Sequence, residues 1–353
     1  MSQYFLERFS KLTPYVPGEQ PNDQPYIKLN TNESPFPPCP EIIRAVEAAA
    51  DRLQLYPDPE GRELIRALSK RLNLPERRIL LTNGSDEALN FAFMAYCDAL
   101  HPVVFPDITY GFYPVFAELH HIPFSQIPLT SDFRVDPEDY CAAAGTVVLA
   151  NPNAPTGRAL SVEQIERIVQ SKPERMVIID EAYVDFGAKS VVGLVDKYRN
   201  LLVVQTFSKS RSLAGARLGF AVGQEALIAD LNAIKYATNP YNVNRMTLAA
   251  GVAAVENDNW FRNHCTIICE NREFLTGKLM MLGFSVIPSE ANFVLARHDL
   301  LPGEALYLAL KRRGILVRHF DAERIRDYIC ISVGSRNQLE KLLQAIQVIL
   351  EES

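Results

Sequence analysis

The run Leu201-Leu202-Val203-Val204-Gln205-Thr206-Phe207-Ser208-Lys209 is apolar on successive residues and ends in a lysine. Unbroken apolarity, unlike alternation, signals a strand buried on both faces, as in a parallel or mixed sheet covered by helices. Similar runs lie at Arg78–Thr82 (RILLT), Val103–Pro106, Thr146–Ala150 (TVVLA), Met176–Asp180 (MVIID) and Leu218–Val222. Between them are helical stripes, one of Leu64, Ile65, Leu68 and Leu72, another of Val162, Ile165, Ile168 and Val169. Ser161 followed by Gln164 predicts a capping box at the start of the second. Strand and helix alternate through the middle of the chain, which predicts an α/β fold with a mostly parallel sheet between helical layers.

The ends have a different composition. Residues 1–40 are rich in Pro and Asn, which suits neither a helix nor a central strand. After about residue 255 the pattern predicts a long polar helix, strands at Phe284–Ile287 and Asn292–Ala296, a helix, and strands at Ile315–Arg318 and Tyr328–Val333. A last helix carries a stripe of Leu339, Leu342, Leu343, Ile346 and Ile349. The expected organisation is a large α/β domain over 40–255 and a small α+β domain made from 1–39 and 256–353.

With 36 Lys+Arg against 42 Asp+Glu the net charge is −6 over 353 residues, and no basic face is concentrated enough for nucleic acid or an anionic membrane. No stretch approaches the roughly 18 apolar residues of a membrane span. The opening MSQYFLERFS lacks a basic-then-apolar leader, and the six cysteines form no C-x-x-C pair, so a cytoplasmic location is expected. His264, Cys265 and Cys269 could share a helix face as metal ligands, but no fourth ligand accompanies them and no metal is expected.

The chemistry-bearing residues fall at strand ends. A lysine outside the carboxyl end of a strand, such as Lys209, stands where open α/β sheets bind ligands, although alone it reads more readily as a solvated surface residue. Arg217, beside Gly215 and Gly219, returns the chain to the same place, and with Ser208 it suits a phosphate. Asp180 ends the strand MVIID. It is explained by a cation, by donors or by helix capping. Asn83-Gly84-Ser85-Asp86-Glu87 joins RILLT to a helix whose first N–H groups make an anion site, or are simply capped by Ser85 or Asp86. A phosphate cradle, a carboxylate and a lysine at three strand ends match pyridoxal 5′-phosphate chemistry, with the lysine holding the cofactor and the aspartate keeping its pyridine nitrogen protonated.

The sequence resembles the fold-type I pyridoxal-phosphate-dependent aminotransferases along essentially its whole length. The resemblance rests on LTPYVPG (12–18), KLNTNESPF (28–36), LYPDPEG (55–61), NGSDE (83–87), DITYGFY (107–113), NPNAPTG (151–157), DEAYVDF (180–186), TFSKSRSLAGARLG (206–219), PYNVN (240–244), ANF (291–293) and GILVR (314–318). LTPYVPG, PYNVN and GILVR point to the histidinol-phosphate branch. The resemblance implies that Lys209 attaches the cofactor and then moves a proton, that Asp180 pairs with the pyridine nitrogen, and that Tyr183 bonds the ring oxygen. It further implies that Tyr110 stacks on the ring, that Gly84, Ser85, Asp86, Ser208 and Arg217 hold the phosphate, and that Tyr56 reaches the phosphate of a neighbouring subunit in a homodimer. Tyr15, Asn32 and Arg318 stand where the family contacts its phosphorylated substrate. The implied reaction is transfer of an amino group from histidinol phosphate to 2-oxoglutarate, the alternatives being an aromatic or other amino-acid aminotransferase or a threonine-phosphate decarboxylase-like lyase.

Two positions depart from that family pattern. Where Asn-Asn-Pro-Thr-Gly is usual, the chain reads Asn153-Ala154-Pro155-Thr156-Gly157, so the ring-oxygen contact falls to Asn153, Asn151 or Tyr183 alone. Where Arg-Ile-Ser-Val-Gly is usual, it reads Cys330-Ile331-Ser332-Val333-Gly334. A thiol cannot replace a bidentate guanidinium, a loss on the order of 1.5–3 kcal/mol, which leaves Arg318 and Arg336 as the anion-binding candidates.

Overall fold

Residues 2–10 and 12–352 are described by a computed structural model. Among the described residues the proline-rich approach carries no regular element, apart from one short turn, until the strand β1 (Ile27–Lys28). The helices α1 (Pro40–Ala50) and α2 (Arg62–Leu72) follow, and then the chain lays down β2 (Ile79–Thr82), α3 (Ser85–Tyr96), β3 (Val103–Pro106), α4 (Phe112–Leu119), β4 (Phe124–Ile127), α5 (Pro137–Ala142), β5 (Thr146–Ala150), α6 (Val162–Ser171), β6 (Val177–Asp180), β7 (Leu201–Thr206) and β8 (Gly219–Val222). These seven strands form one sheet in the order β2-β8-β7-β6-β5-β3-β4, parallel except where β8 runs antiparallel to both its neighbours.

In β7 alternate residues serve opposite layers. Leu201 and Val203 join a core with residues of α1, α2 and α6, while Leu202 and Val204 join another with residues of α3 and α4. All four are fully buried, which explains the unbroken apolar run, and each such burial contributes about 1.5–3 kcal/mol. The capping box expected at Ser161 and Gln164 opens α6, and Ile165, Ile168 and Val169 form its buried face. The strand β4 was not anticipated. It lies at the sheet edge with three of its four residues exposed, so its sequence FSQI carries neither apolar run nor alternation.

Beyond α7 (Glu225–Thr238), α8 (Arg245–Glu256) and the long α9 (Asp258–Met281), a second sheet is formed by β9 (Phe284–Ile287), β10 (Phe293–His298), β12 (Arg318–His319) and β13 (Tyr328–Ser332), antiparallel in the order β12-β13-β10-β9. The helices α10 (Gly303–Arg312) and α11 (Arg336–Glu351) pack with α9 against it, and α11 buries Leu339, Leu342, Ile346 and Ile349. The strand expected over Ile315–Arg318 is two short strands in different sheets. In the first, β11 (Ile315–Leu316) pairs in parallel with β1, while Arg318 opens β12 against Cys330. The chain changes sheets at Val317, and in doing so ties the N-terminal arm to the C-terminal sheet. Among the described residues no helix is long and apolar enough to cross a membrane, and no His/Cys/Asp/Glu cluster could hold a metal.

Candidate active site

The carboxyl ends of β5, β6 and β7 open into a cleft of about 890 Å³, closed on the far side by the N-terminal arm and by β12 and β13. Ala150, Asp180, Thr206, Ser208 and Lys209 reach it from the large sheet, and Tyr15, Asn32, Arg318 and Cys330 from the other side.

Lys209 keeps some exposure toward the cleft, but its ammonium is largely desolvated and its pKa is pushed down to about 8. Its Nζ donates to the Thr31 carbonyl at 2.9 Å and lies 5.8 Å from the centre of the Tyr183 ring. Asp180 is buried, and burial pushes its pKa up to about 6. It does not cap a helix. Its oxygens accept from the Tyr113 hydroxyl at 3.0 Å and from the Ala182 N–H at 3.1 Å. Burial likewise raises the pKa of Tyr183, whose hydroxyl accepts from the Asn32 amide at 3.2 Å. Asn32 itself is held in the left-handed region, with φ 55, by Ser332, whose hydroxyl accepts from its N–H and donates to its side-chain oxygen, each at 2.8 Å.

The opposite end of the cleft is a cradle made of close backbone approaches. Gly84, with φ 80, precedes α3, and no side chain caps that helix. The first-turn N–H groups of Ser85 and Asp86 are thus left to an external acceptor. A Cβ on Gly84 would come within 2.6 Å of the Arg217 guanidinium, and one on Gly219 within 2.5 Å of the Ser85 nitrogen. Only glycine at both places lets arginine, serine and helix start converge. Asp86 balances the charge by accepting from Arg217 at 2.9 Å and from the Tyr110 hydroxyl at 2.8 Å.

Where the arm meets the cleft Tyr15 stacks on Phe112, 4.5 Å between centroids, and faces Tyr110 at 6.0 Å. Arg318 donates to the carbonyls of Val16 and Pro17, at 2.9 and 3.1 Å, and so fastens the arm over the cleft. Cys330 lies opposite Arg318 in the β12–β13 register, and burial pushes its thiol up to about 12, so it stands there uncharged.

Asn153, Tyr56 and Arg336, all singled out from the sequence, lie off the cleft wall, as does Asn151. Asn153 is buried with its amide committed to the Ile108 carbonyl and the Thr156 hydroxyl and its oxygen to Thr109. Its neighbour Ala154 lines the cleft instead. Tyr56 is 77% exposed and stacks on Tyr241 at 4.6 Å. Arg336 lies over the Phe274 ring on α9. Conversely Tyr113, Thr31 and Ser332 shape the site without having been singled out. All three stood within quoted stretches, Thr31 in KLNTNESPF, Tyr113 in DITYGFY and Ser332 in the run Cys330–Gly334, but nothing in those letters showed which partner each would meet.

A family model described as aminotransferase class I and II matches residues 24–346. The chain belongs to that family. It is 48% identical over 353 residues to histidinol-phosphate aminotransferase 1 of Bordetella parapertussis, covering 99% of each chain. Its structure resembles that of histidinol-phosphate aminotransferase from Sinorhizobium meliloti in complex with pyridoxal 5′-phosphate, with TM-score 0.89 at 25% identity and full coverage of both chains. The same fold occurs in L-threonine-O-3-phosphate decarboxylase from Porphyromonas gingivalis, with TM-score 0.79 at 22% identity over 92% of this chain and 99% of that one. The expected fold-type I α/β architecture is thereby confirmed.

The family works with pyridoxal 5′-phosphate, and the residues present fit that group. The glycine-lined cradle offers N–H groups, a hydroxyl and a guanidinium to a phosphate. The buried Asp180 offers a carboxylate to a ring nitrogen, and Lys209 offers an amine of depressed pKa to an aldehyde.

Proposed function

We propose that this enzyme transfers the amino group of histidinol phosphate to 2-oxoglutarate. The observation that carries the reading is the near-full-length identity to a histidinol-phosphate aminotransferase, joined to a cleft with one arginine, Arg318, at its substrate side. When bound, the cofactor supplies a protonated pyridine ring that accepts the electron pair left when the substrate loses its Cα proton.

The chain's own residues do the rest. Lys209, largely uncharged above about pH 8, takes up that proton and returns it. Asp180, as a carboxylate, holds the proton on the ring nitrogen. Tyr183 directs its hydroxyl to the ring oxygen and is oriented by Asn32. Ser85, Asp86, Ser208 and Arg217 bind the cofactor phosphate, and Tyr110 covers the ring face. Arg318, with Tyr15 and Asn32, receives the substrate phosphate, exchanging its contacts to Val16 and Pro17 for a charge-assisted pair.

We further infer a homodimer in which Tyr56 and Tyr241, exposed and stacked, face a second copy. Their support is the unusual exposure of two aromatic rings together with Leu53 and Leu55 on the same segment. Sedimentation velocity tests it, and a monomer at all concentrations would end it. The six free cysteines suit a reducing, cytoplasmic setting.

The deciding experiment is an absorbance titration of the cofactor-loaded protein. Histidinol phosphate should bleach the visible band and 2-oxoglutarate should restore it. Bleaching by aromatic amino acids alone would make it a different aminotransferase. Carbon dioxide release from threonine phosphate would make it a lyase.

A further inference from the structure

Tyr110 and Tyr113 stand one turn apart at the start of α4, closed by a hydrogen bond from the Tyr113 N–H to the Tyr110 carbonyl at 3.2 Å. Their rings meet edge to face, 5.7 Å apart at 84°. This geometry sends the two hydroxyls to the two ends of the site. Tyr110 donates to Asp86 at the phosphate cradle, and Tyr113 donates to Asp180 at the end of β6.

The two tyrosines differ in what they can touch. Tyr110 lines the cleft, whereas Tyr113 is fully buried behind it, between Tyr110 and the Phe105 ring at 5.8 Å. Tyr113 therefore meets neither substrate nor cofactor. Among the described residues it is the single side-chain donor to Asp180, the other hydrogen bond coming from the Ala182 backbone.

A buried carboxylate with too few donors takes up a proton and ceases to act as an anion. Asp180 is under that pressure, since burial and the nearby Asp86 both push its pKa upward and Lys209 only partly offsets them. A donated hydrogen bond favours the ionised form and fixes which oxygen is free.

We propose that Tyr113 is a positioning residue that holds the Asp180 carboxylate ionised and aimed for the cofactor's ring nitrogen. This rests on the pyridoxal 5′-phosphate reading above. The phenol of Tyr113 stays protonated throughout, because burial and the adjacent Asp180 raise its pKa far above the working range. It acts as a fixed donor and takes no part in proton transfer.

The test uses holoprotein carrying Tyr113→Phe, which removes one oxygen and keeps the ring. Two readouts are followed besides turnover: the rate at which bound pyridoxal 5′-phosphate is released, and the pH midpoint of the visible absorption band. Loss of a hydrogen bond to a charged group should speed release about tenfold and lower kcat more than it raises KM. The band midpoint should move up, because a less firmly protonated ring withdraws less charge. The same substitution in an Asp180→Asn background should change release less than about twofold, since the charge it serves is gone. Unchanged release and midpoint in Tyr113→Phe would overturn the proposal, as would an equal effect in both backgrounds. If the Phe variant is recovered unfolded, 3-fluorotyrosine at position 113 keeps the packing and strengthens the donor. Slower release then supports the role, and an unchanged rate overturns it. Wild-type protein without any visible band would overturn the cofactor reading itself, and this inference with it.

Discussion

The Asn32 amide lies 3.2 Å from the hydroxyl of Tyr183, although 151 residues separate the two in sequence. Asn32 belongs to the N-terminal arm and Tyr183 to the turn after β6. The contact is possible because Ser332, from the last strand, grips Asn32 on the other side. The residue that orients the Tyr183 hydroxyl is thus itself oriented by the C-terminal sheet.

Lys209→Ala should abolish amino transfer, because among the described residues no other lysine lines the cleft at the carboxyl ends of β6 and β7. Its thermal unfolding and circular dichroism should stay close to wild type, as Lys209 contributes one hydrogen bond, to Thr31. Transfer at wild-type rate would end the proposed role.

The depressed pKa of Lys209 sets a pH dependence. Only the unprotonated amine attacks an aldehyde, so attachment of pyridoxal 5′-phosphate to cofactor-free protein should accelerate as pH rises and level off above about 8, well below the ordinary value of 10.5. Stopped-flow absorbance across pH 6–10 would measure it, and a rate still climbing steadily toward pH 10 would contradict it.

Asp180→Asn should leave the fold and phosphate contacts intact while reducing transfer by several orders of magnitude, as it removes the charge that balances the ring nitrogen. In cofactor-free protein the carboxyl's folded pKa, about 6, exceeds its ordinary 3.8. The stability that Asp180 contributes is therefore fully present below the ordinary value and is lost as pH rises through about 6. Melting temperatures of wild type should fall relative to Asp180→Asn across that window, and parallel curves would refute the assignment.

Gly84→Ala should weaken cofactor binding about tenfold or more, since the added Cβ meets the Arg217 guanidinium at 2.6 Å and alanine is strained at φ 80. Equilibrium dialysis would detect it. Gly215→Ala, where a Cβ meets nothing within 4 Å, provides the control.

Cys330→Arg should lower the half-saturating concentration of substrates carrying a second anionic group by about tenfold, because it sets a guanidinium beside Arg318 at the substrate side. Steady-state kinetics with mono- and dicarboxylic 2-oxo acids would show it. Weaker binding of both would mean that position 330 does not address the substrate.

Much of this arrangement was legible because buried strands leave a coarse signature. LLVVQT and MVIID read directly as strands with a functional residue at the end, and Ser161 with Gln164 marked a helix start. The edge strand β4 escaped because exposed edges need no apolar pattern. The break at Val317 escaped because a change of sheet leaves the local composition unaltered. Tyr113 was visible as a letter and invisible as a donor, since its direction depends on the turn at Gly111 and on where β6 ends. Asn153 misled for the converse reason. Its motif is present, but Ile108, Thr109 and Thr156 absorb the whole side chain.

The clasp between Ser332 and Asn32 also bears on how the enzyme comes into being on the ribosome. Lys209 leaves the exit tunnel on the order of ten seconds before Ser332 at ordinary elongation rates. Throughout that interval the nascent chain carries its reactive amine but lacks the strand that holds Asn32, and with it Tyr183, in place. Catalytic competence therefore waits for β13, and a truncated translation product ending before it would be a lysine-bearing scaffold without an enzyme's activity.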